Sequence, residues 1–243
     1  MNESTKKPFP WSLDEHTFAA VTAYHEESAV AEYDQRMRVV RDVDGENRQL
    51  LDILARFGTL GPSASLLEIG TGTGALARAA AREVGHVLAV DVSDAMLRYA
   101  KTEAAKSGLT NIRFENAGFL SFDNSRPFDA IVSSLALHHI NDVWKAEALS
   151  RVARALRPGG IFLLVDVIFD CQGGELDDYV KRVYTADKLG ERMLADLHGH
   201  IASESSTLRW IMDGIITRSG LKIIDFVPFG SIAHLYTCQK PLS

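Results

Sequence analysis

Cysteine is scarce: 243 residues hold two, Cys171 and Cys238. One pair cannot build a disulfide framework, and its spacing is not that of a zinc site. A reducing, cytoplasmic setting suits both. No apolar run approaches the ~20 residues that cross a bilayer. The first twelve residues, MNESTKKPFPWS, are polar, contain two prolines and have no apolar export core. Positive charge is in deficit as well. Lys and Arg number 26 against 32 Asp and Glu, a formal charge of −6, and no basic run offers itself to a nucleic-acid backbone. There are no repeats and no low-complexity tracts. With 46% apolar and 24% charged residues, the chain has the balance of a globular protein large enough to bury a core unaided. Membrane and nucleic-acid partners are therefore not expected; a homo-oligomer stays open.

The positive evidence is in the pattern. Residues 1–12 read as a tail, because Pro8 and Pro10 oppose helix. From Asp14 to about Gln35 the pattern is helical but broken. A firmer helix spans Gly45 to Phe57, stopped by Gly58. Short apolar runs then alternate with helices. The strands are Leu66–Ile69, Val87–Val90, Ile112–Glu115, Phe128–Ser133 and Ile161–Val165. The helices cover Leu76–Arg82, the stretch opened by Asp91-Val92-Ser93 through Lys106, and Asp142–Leu156. The last has Val143, Leu149, Val152 and Leu156 on one stripe and Pro158-Gly159-Gly160 to end it. Such alternation argues for an α/β fold with a parallel sheet covered on both faces. Leu221–Val227 and Ile232–Gln239, separated by Pro228-Phe229-Gly230-Ser231, read as an antiparallel hairpin. The expected sheet is seven-stranded and mostly parallel. Residues 1–44 form a tail and helical lid; residues 45–243 form the main domain. Within it, 170–219 is an insertion of two or three helices before the last two strands. One helix carries Leu176, Tyr179, Val180, Val183 and Tyr184 on a face; another carries Leu208, Ile211, Met212, Ile215 and Ile216.

The most informative segment is Glu68-Ile69-Gly70-Thr71-Gly72-Thr73-Gly74, where the first strand turns into a helix. Gly70 and Gly72 let backbone turn tightly and approach a ligand, and Gly74 allows close helix packing. Gly70, Gly72 and Ala75 also fit a loose dinucleotide pattern. Glu68, however, would repel a pyrophosphate and would suit a ligand bearing an amino cation. Asp91, ending the second strand, stands where a carboxylate can take a ribose diol. Taken singly, Glu68 reads equally as a solvent-facing strand end and Asp91 as a helix N-cap.

This loop resembles motif I of the class I S-adenosylmethionine-dependent methyltransferases. The likeness continues through Val90–Leu97, Phe128–Ile140 and Leu156–Gly160, and its texture is similar to the ubiquinone/menaquinone-biosynthesis-like, small-molecule branch. The resemblance implies a Rossmann-like, doubly wound sheet and S-adenosylmethionine as cofactor. Gly70, Thr71 and Gly72 would line its methionine part, and Gly74 and Ser134 are also expected to bind it. Glu68 would reach the amino group through water. Asp91 would hold the ribose, and Val92 and Met96 would pack on adenine. Gly118 departs from the pattern, since the family often has an aspartate there for the adenine amino group. Ala117, Gly118 and Phe119 offer only backbone and one aromatic face.

Methyl transfer needs alignment and exclusion of water more than a fixed catalytic group. His138, in the His138-His139 pair after the fourth strand, is the first candidate base; a loop-holding role is its plainer reading. Asp166, Asp170 and Cys171 also follow a strand end. His198 and His200 lack a partner carboxylate or thiol, so no metal is expected. His16, Tyr24, His25, Tyr33, Tyr184 and Trp210 are candidates to line an acceptor pocket, and Tyr33-Asp34 hints at a closing lid. The expected function is methylation of a small molecule. A non-catalytic cofactor-binding protein is the alternative, and a nicotinamide oxidoreductase rests on the glycine match alone.

Overall fold

The computed structural model describes residues 15, 27–123, 125–183, 199–201, 203–230 and 233–242. The proline-containing tail lies outside them, as do His16, Tyr24, His25, Tyr184 and His198. Among the described residues, two helices precede the sheet, α1 (Glu27–Val40) and α2 (Val43–Arg56). The Asp42 side chain caps α2 by accepting the Gly45 N–H at 3.0 Å. The alternating core follows: β1 (Gly61–Ile69), α3 (Ala75–Ala80), β2 (Val84–Asp91), α4 (Asp94–Lys106), β3 (Ile112–Asn116), β4 (Phe128–Ser134), α5 (Asp142–Ala155) and β5 (Leu156–Asp166). Ser93 caps α4 and Asn141 caps α5. Among the described residues the elements that follow are β6 (Ile168–Phe169), α6 (Leu176–Val183), β7 (Thr207–Leu208), α7 (Arg209–Arg218), β8 (Lys222–Phe229) and β9 (Ala233–Gln239).

Seven strands form one sheet in the order β3-β2-β1-β4-β5-β9-β8. The first five run parallel, and β9 is antiparallel to both β5 and β8. Side chains alternate across the central strands. Leu67, Ile69, Leu88, Val90 and Ile131 enter one buried cluster; Leu66, Val87, Ala89, Ala130 and Val132 enter another on the opposite face. Burial on both faces is why these strands read as unbroken apolar runs. Each fully buried Leu or Phe, such as Leu163 or Phe162, contributes about 1.5–3 kcal/mol.

Three local expectations need correction. Val143 is 73% exposed, and Lys145, at 1%, takes the inward position on α5 instead. Its ammonium is paired there: Nζ donates to Asp142 Oδ1 at 2.9 Å and to the Ser205 carbonyl. Second, Pro158-Gly159-Gly160 does not end a helix. Leu156 is already extended, and β5 runs through the three residues. Third, the hairpin strands extend through Pro228 and Phe229 to a turn at Gly230. In the insertion, Tyr179 on α6 and Met212 and Ile216 on α7 are buried as the helical spacing predicts. The parallel pair β6–β7 was not foreseen. Among the described residues no helix is long and apolar enough to cross a membrane.

Candidate functional site

Strand order reverses between β1 and β4, and in open α/β sheets ligands bind beyond the carboxyl ends of the strands at that point. A cavity lies there. Glu68, Gly70, Thr71 and Gly72 line it together with Asp91, Val92, Met96, Gly118, Phe119 and Ser134. Tyr33, Asp34 and Met37 of α1 and Asn47 and Leu50 of α2 also face it, so the two leading helices are part of its wall.

The glycine loop has a defined shape. The Gly70 and Thr71 N–H groups both donate to the Val90 carbonyl at 2.9 Å. Gly70 has φ +76°, and a Cβ at this position would overlap the Ala136 Cβ. Only glycine lets the loop after β1 touch the loop after β4. Leu135, between β4 and Ala136, carries a positive φ of 54°, an unusual conformation for a bulky residue. It lines the cavity, and its N–H is held by the Val165 carbonyl at 2.8 Å.

Asp91 braces the loop from the other side. Its Oδ2 accepts the Gly72 N–H at 2.8 Å and its Oδ1 the Ser93 N–H at 2.9 Å. The helix cap itself is Ser93. Burial raises the Asp91 carboxyl pKa, against the backbone donors that favour its ionised form. Glu68 is only 4% exposed and accepts the Thr71 hydroxyl at 2.7 Å. Burial, helped by the charge of Asp91, pushes its carboxyl up to about 8. It is therefore no solvent-facing strand end. Thr73 donates to Asp34 at 2.7 Å, so α1 is fastened to the glycine loop through one half of the Tyr33-Asp34 pair.

Two predicted residues stand apart from the cavity lining. Gly74 has φ +74°, and a Cβ there would sit 2.8 Å from the Ala100 Cβ; it brings the loop against α4. His138 is 4% exposed. Its Nδ1 lies 2.5 Å from Asp166 Oδ1, its N–H donates to Asp166 Oδ2 at 3.0 Å, and its Nε2 faces Glu204 at 3.5 Å. Burial disfavours a charged ring, but Asp166 and Glu204 outweigh it and raise the His138 pKa. The same pairing overcomes burial to lower that of Asp166. His139 lines the cavity instead. Burial, then the neighbouring His138 charge, push it down to about 4, so it is neutral near pH 7.

The insertion returns beside this pair. The Ser205 N–H donates to the His138 carbonyl at 2.8 Å, and Glu204 pairs with His200. His138, His139 and Glu204 thus bring ligand-type atoms within 4.8 Å of one another. Glu204, four residues after His200, is the partner carboxylate missing from the reading of His198 and His200; no spacing rule connects it to residue 138. Asp170 pairs with Arg209 on the surface, Trp210 is 54% exposed, and Cys171 packs with Val167, Phe169 and Tyr179. None of these lines the cavity. Glu15, which the sequence did not single out, does.

Residues 66–160 match the model of a methyltransferase domain. An uncharacterised methyltransferase of Mycobacterium bovis is 37% identical over 120 residues, which are 49% of this chain and 56% of that protein. The alignment thus spans little more than half of that relative. Solved structures share the fold at lower identity. An S-adenosylmethionine-dependent methyltransferase from Clostridium acetobutylicum is 16% identical with a TM-score of 0.68, covering 88% of this chain and 98% of its own. The N-methyltransferase NodS from Bradyrhizobium japonicum, solved with S-adenosyl-L-homocysteine, is 17% identical with a TM-score of 0.59, covering 82% and 87%. Topology, glycine loop and matched segment agree: residues 66–160 carry a methyltransferase domain, set on a fold shared with solved S-adenosylmethionine-dependent methyltransferases.

Proposed function

We propose that the chain transfers a methyl group from S-adenosylmethionine to a small-molecule acceptor in the cytoplasm. The observation that carries this reading is the cavity at the sheet reversal. There, one buried acid sits beside a glycine loop and a second acid stands at the end of β2, with apolar walls beyond. These residues fit the cofactor's chemistry in order. Glu68 receives the amino group, Gly70–Gly72 follow the methionine chain, Asp91 takes the ribose hydroxyls, and Val92, Met96 and Phe119 flank the base. When bound, S-adenosylmethionine supplies an activated methyl on a sulfonium.

The protein's remaining task is to place a nucleophile and keep water away. His139, neutral and on the cavity wall, accepts a hydrogen bond from the acceptor's O–H or N–H. His138 acts as its positioning residue, locked by Asp166 and Glu204. Residues 1–44 and the 170–219 insertion are the covers, and acceptor choice lies in them. Enclosure by α1 and α2, with the deficit of basic residues, favours a small acceptor over a polynucleotide. Titration calorimetry with S-adenosylhomocysteine and with NAD tests the cofactor; no heat with the former refutes the reading. A labelled-methyl assay against thiols, phenols, amines and acids tests transfer. Binding without transfer to any of them supports a non-catalytic partner protein instead.

A further inference from the structure

Glu15 stands 105 positions from the backbone it meets. The residue is 6% exposed. It accepts the Leu120 N–H at 3.1 Å and the Ser121 hydroxyl at 3.2 Å, and it lines the cavity. Ser121 in turn receives the Gly118 N–H at 2.9 Å, and the charge of Arg151 is within electrostatic reach. A Cβ on Gly118 would come within 2.6 Å of the Glu15 carboxyl carbon. The missing side chain at 118 is therefore the space that the Glu15 carboxylate occupies. Asp91, Met96 and Phe119 line the same cavity.

We propose that Glu15 forms a 6-aminopurine subsite, supplying from the amino-terminal segment the carboxylate that receives the exocyclic amino group of adenine. Burying a carboxylate is costly unless donors surround it. A carboxylate can accept about four hydrogen bonds, so an amino N–H can join the backbone and hydroxyl donors. A 6-oxo purine presents a carbonyl at the same place and is repelled. The subsite rests on the cofactor assignment above and adds to it: base selection depends on a residue of the amino-terminal cover. An acid at 118 and an acid at 15 are then alternative occupants of one space.

The test compares calorimetric binding of S-adenosylhomocysteine with that of its 6-oxo (inosine) analogue to the full chain. The wild type should prefer the adenosyl ligand by about 10- to 100-fold, the range of one charge-assisted hydrogen bond. In Glu15→Gln the amide can donate to a carbonyl, so that ratio should collapse toward unity. In Glu15→Ala the space opens, and adding Gly118→Asp should restore the preference. An unchanged ratio in Glu15→Gln, or no recovery in the double variant, overturns the subsite alone. Failure of the wild type to bind S-adenosylhomocysteine overturns the cofactor assignment with it.

Discussion

Glu68 should make cofactor binding a proton-releasing event. Burial pushes its carboxyl up to about 8, so it is about nine-tenths protonated at pH 7. A ligand ammonium nearby favours the carboxylate. At 4 Å, and an effective dielectric constant near 20, that attraction is about 4 kcal/mol. Ionising the group at pH 7 costs about 1.4 kcal/mol. The attraction wins, and binding should release about 0.9 proton per ligand at pH 7. The sign follows: affinity for S-adenosylhomocysteine rises with pH, about tenfold per unit from pH 6 to 7.5, and levels off above about 8. Glu68→Gln should bind more weakly and lose the slope. Its stability near pH 7 should change little, because a neutral amide replaces a mostly neutral acid. Calorimetry in two buffers of different ionisation enthalpy measures the released proton directly. Release below about 0.2 proton at pH 7, or the same pH slope in Glu68→Gln, would refute the reasoning.

Other substitutions separate the remaining roles. Asp91→Ala removes the acceptor of the Gly72 and Ser93 N–H groups and should weaken S-adenosylhomocysteine binding by about 1–3 kcal/mol; unaltered affinity in calorimetry defeats the ribose assignment. Asp166→Asn breaks a buried pair and should cost about 3–5 kcal/mol in urea unfolding. The pair contributes most between the unfolded pKa values of about 3.9 and 6.5. That contribution fades as pH falls through the lowered pKa of Asp166 or rises through the raised pKa of His138, so a deficit that did not narrow at alkaline pH would contradict the pairing. Tyr236→Phe deletes the 2.6 Å bond to Asp213 and should lower stability by about 1–2 kcal/mol, with no change in ligand affinity.

The parallel core was legible because strands buried on both faces must be apolar throughout, and Leu66–Ile69 or Ile161–Val165 can be little else. Gly70 and Gly72 were legible because positive φ in a tight loop leaves a strong trace in composition. Polar groups inside the fold were not. Lys145 occupies an inward position only because Asp142 and the Ser205 carbonyl are there to receive its ammonium, and helical periodicity placed Val143 inward instead. Glu15 reaches the cavity, and Glu204 reaches His138, from segments whose position depends on tertiary packing, so local pattern carried no sign of either contact. Gly118 was the partial exception, since the sequence showed a vacancy but not what fills it.

Strand β9 sits between β5 and β8, although both neighbours precede it in the chain. On the ribosome, the edge of β5 from Ile161 to Asp166 therefore has no antiparallel partner until residues 233–239 have emerged. Until then the nascent chain presents a row of unpaired backbone groups flanked by apolar side chains, a template for pairing with other chains. The sheet closes only with the last of its strands in chain order. A chaperone with affinity for extended apolar segments would find its target there, and a premature stop before residue 233 would leave that target permanently open.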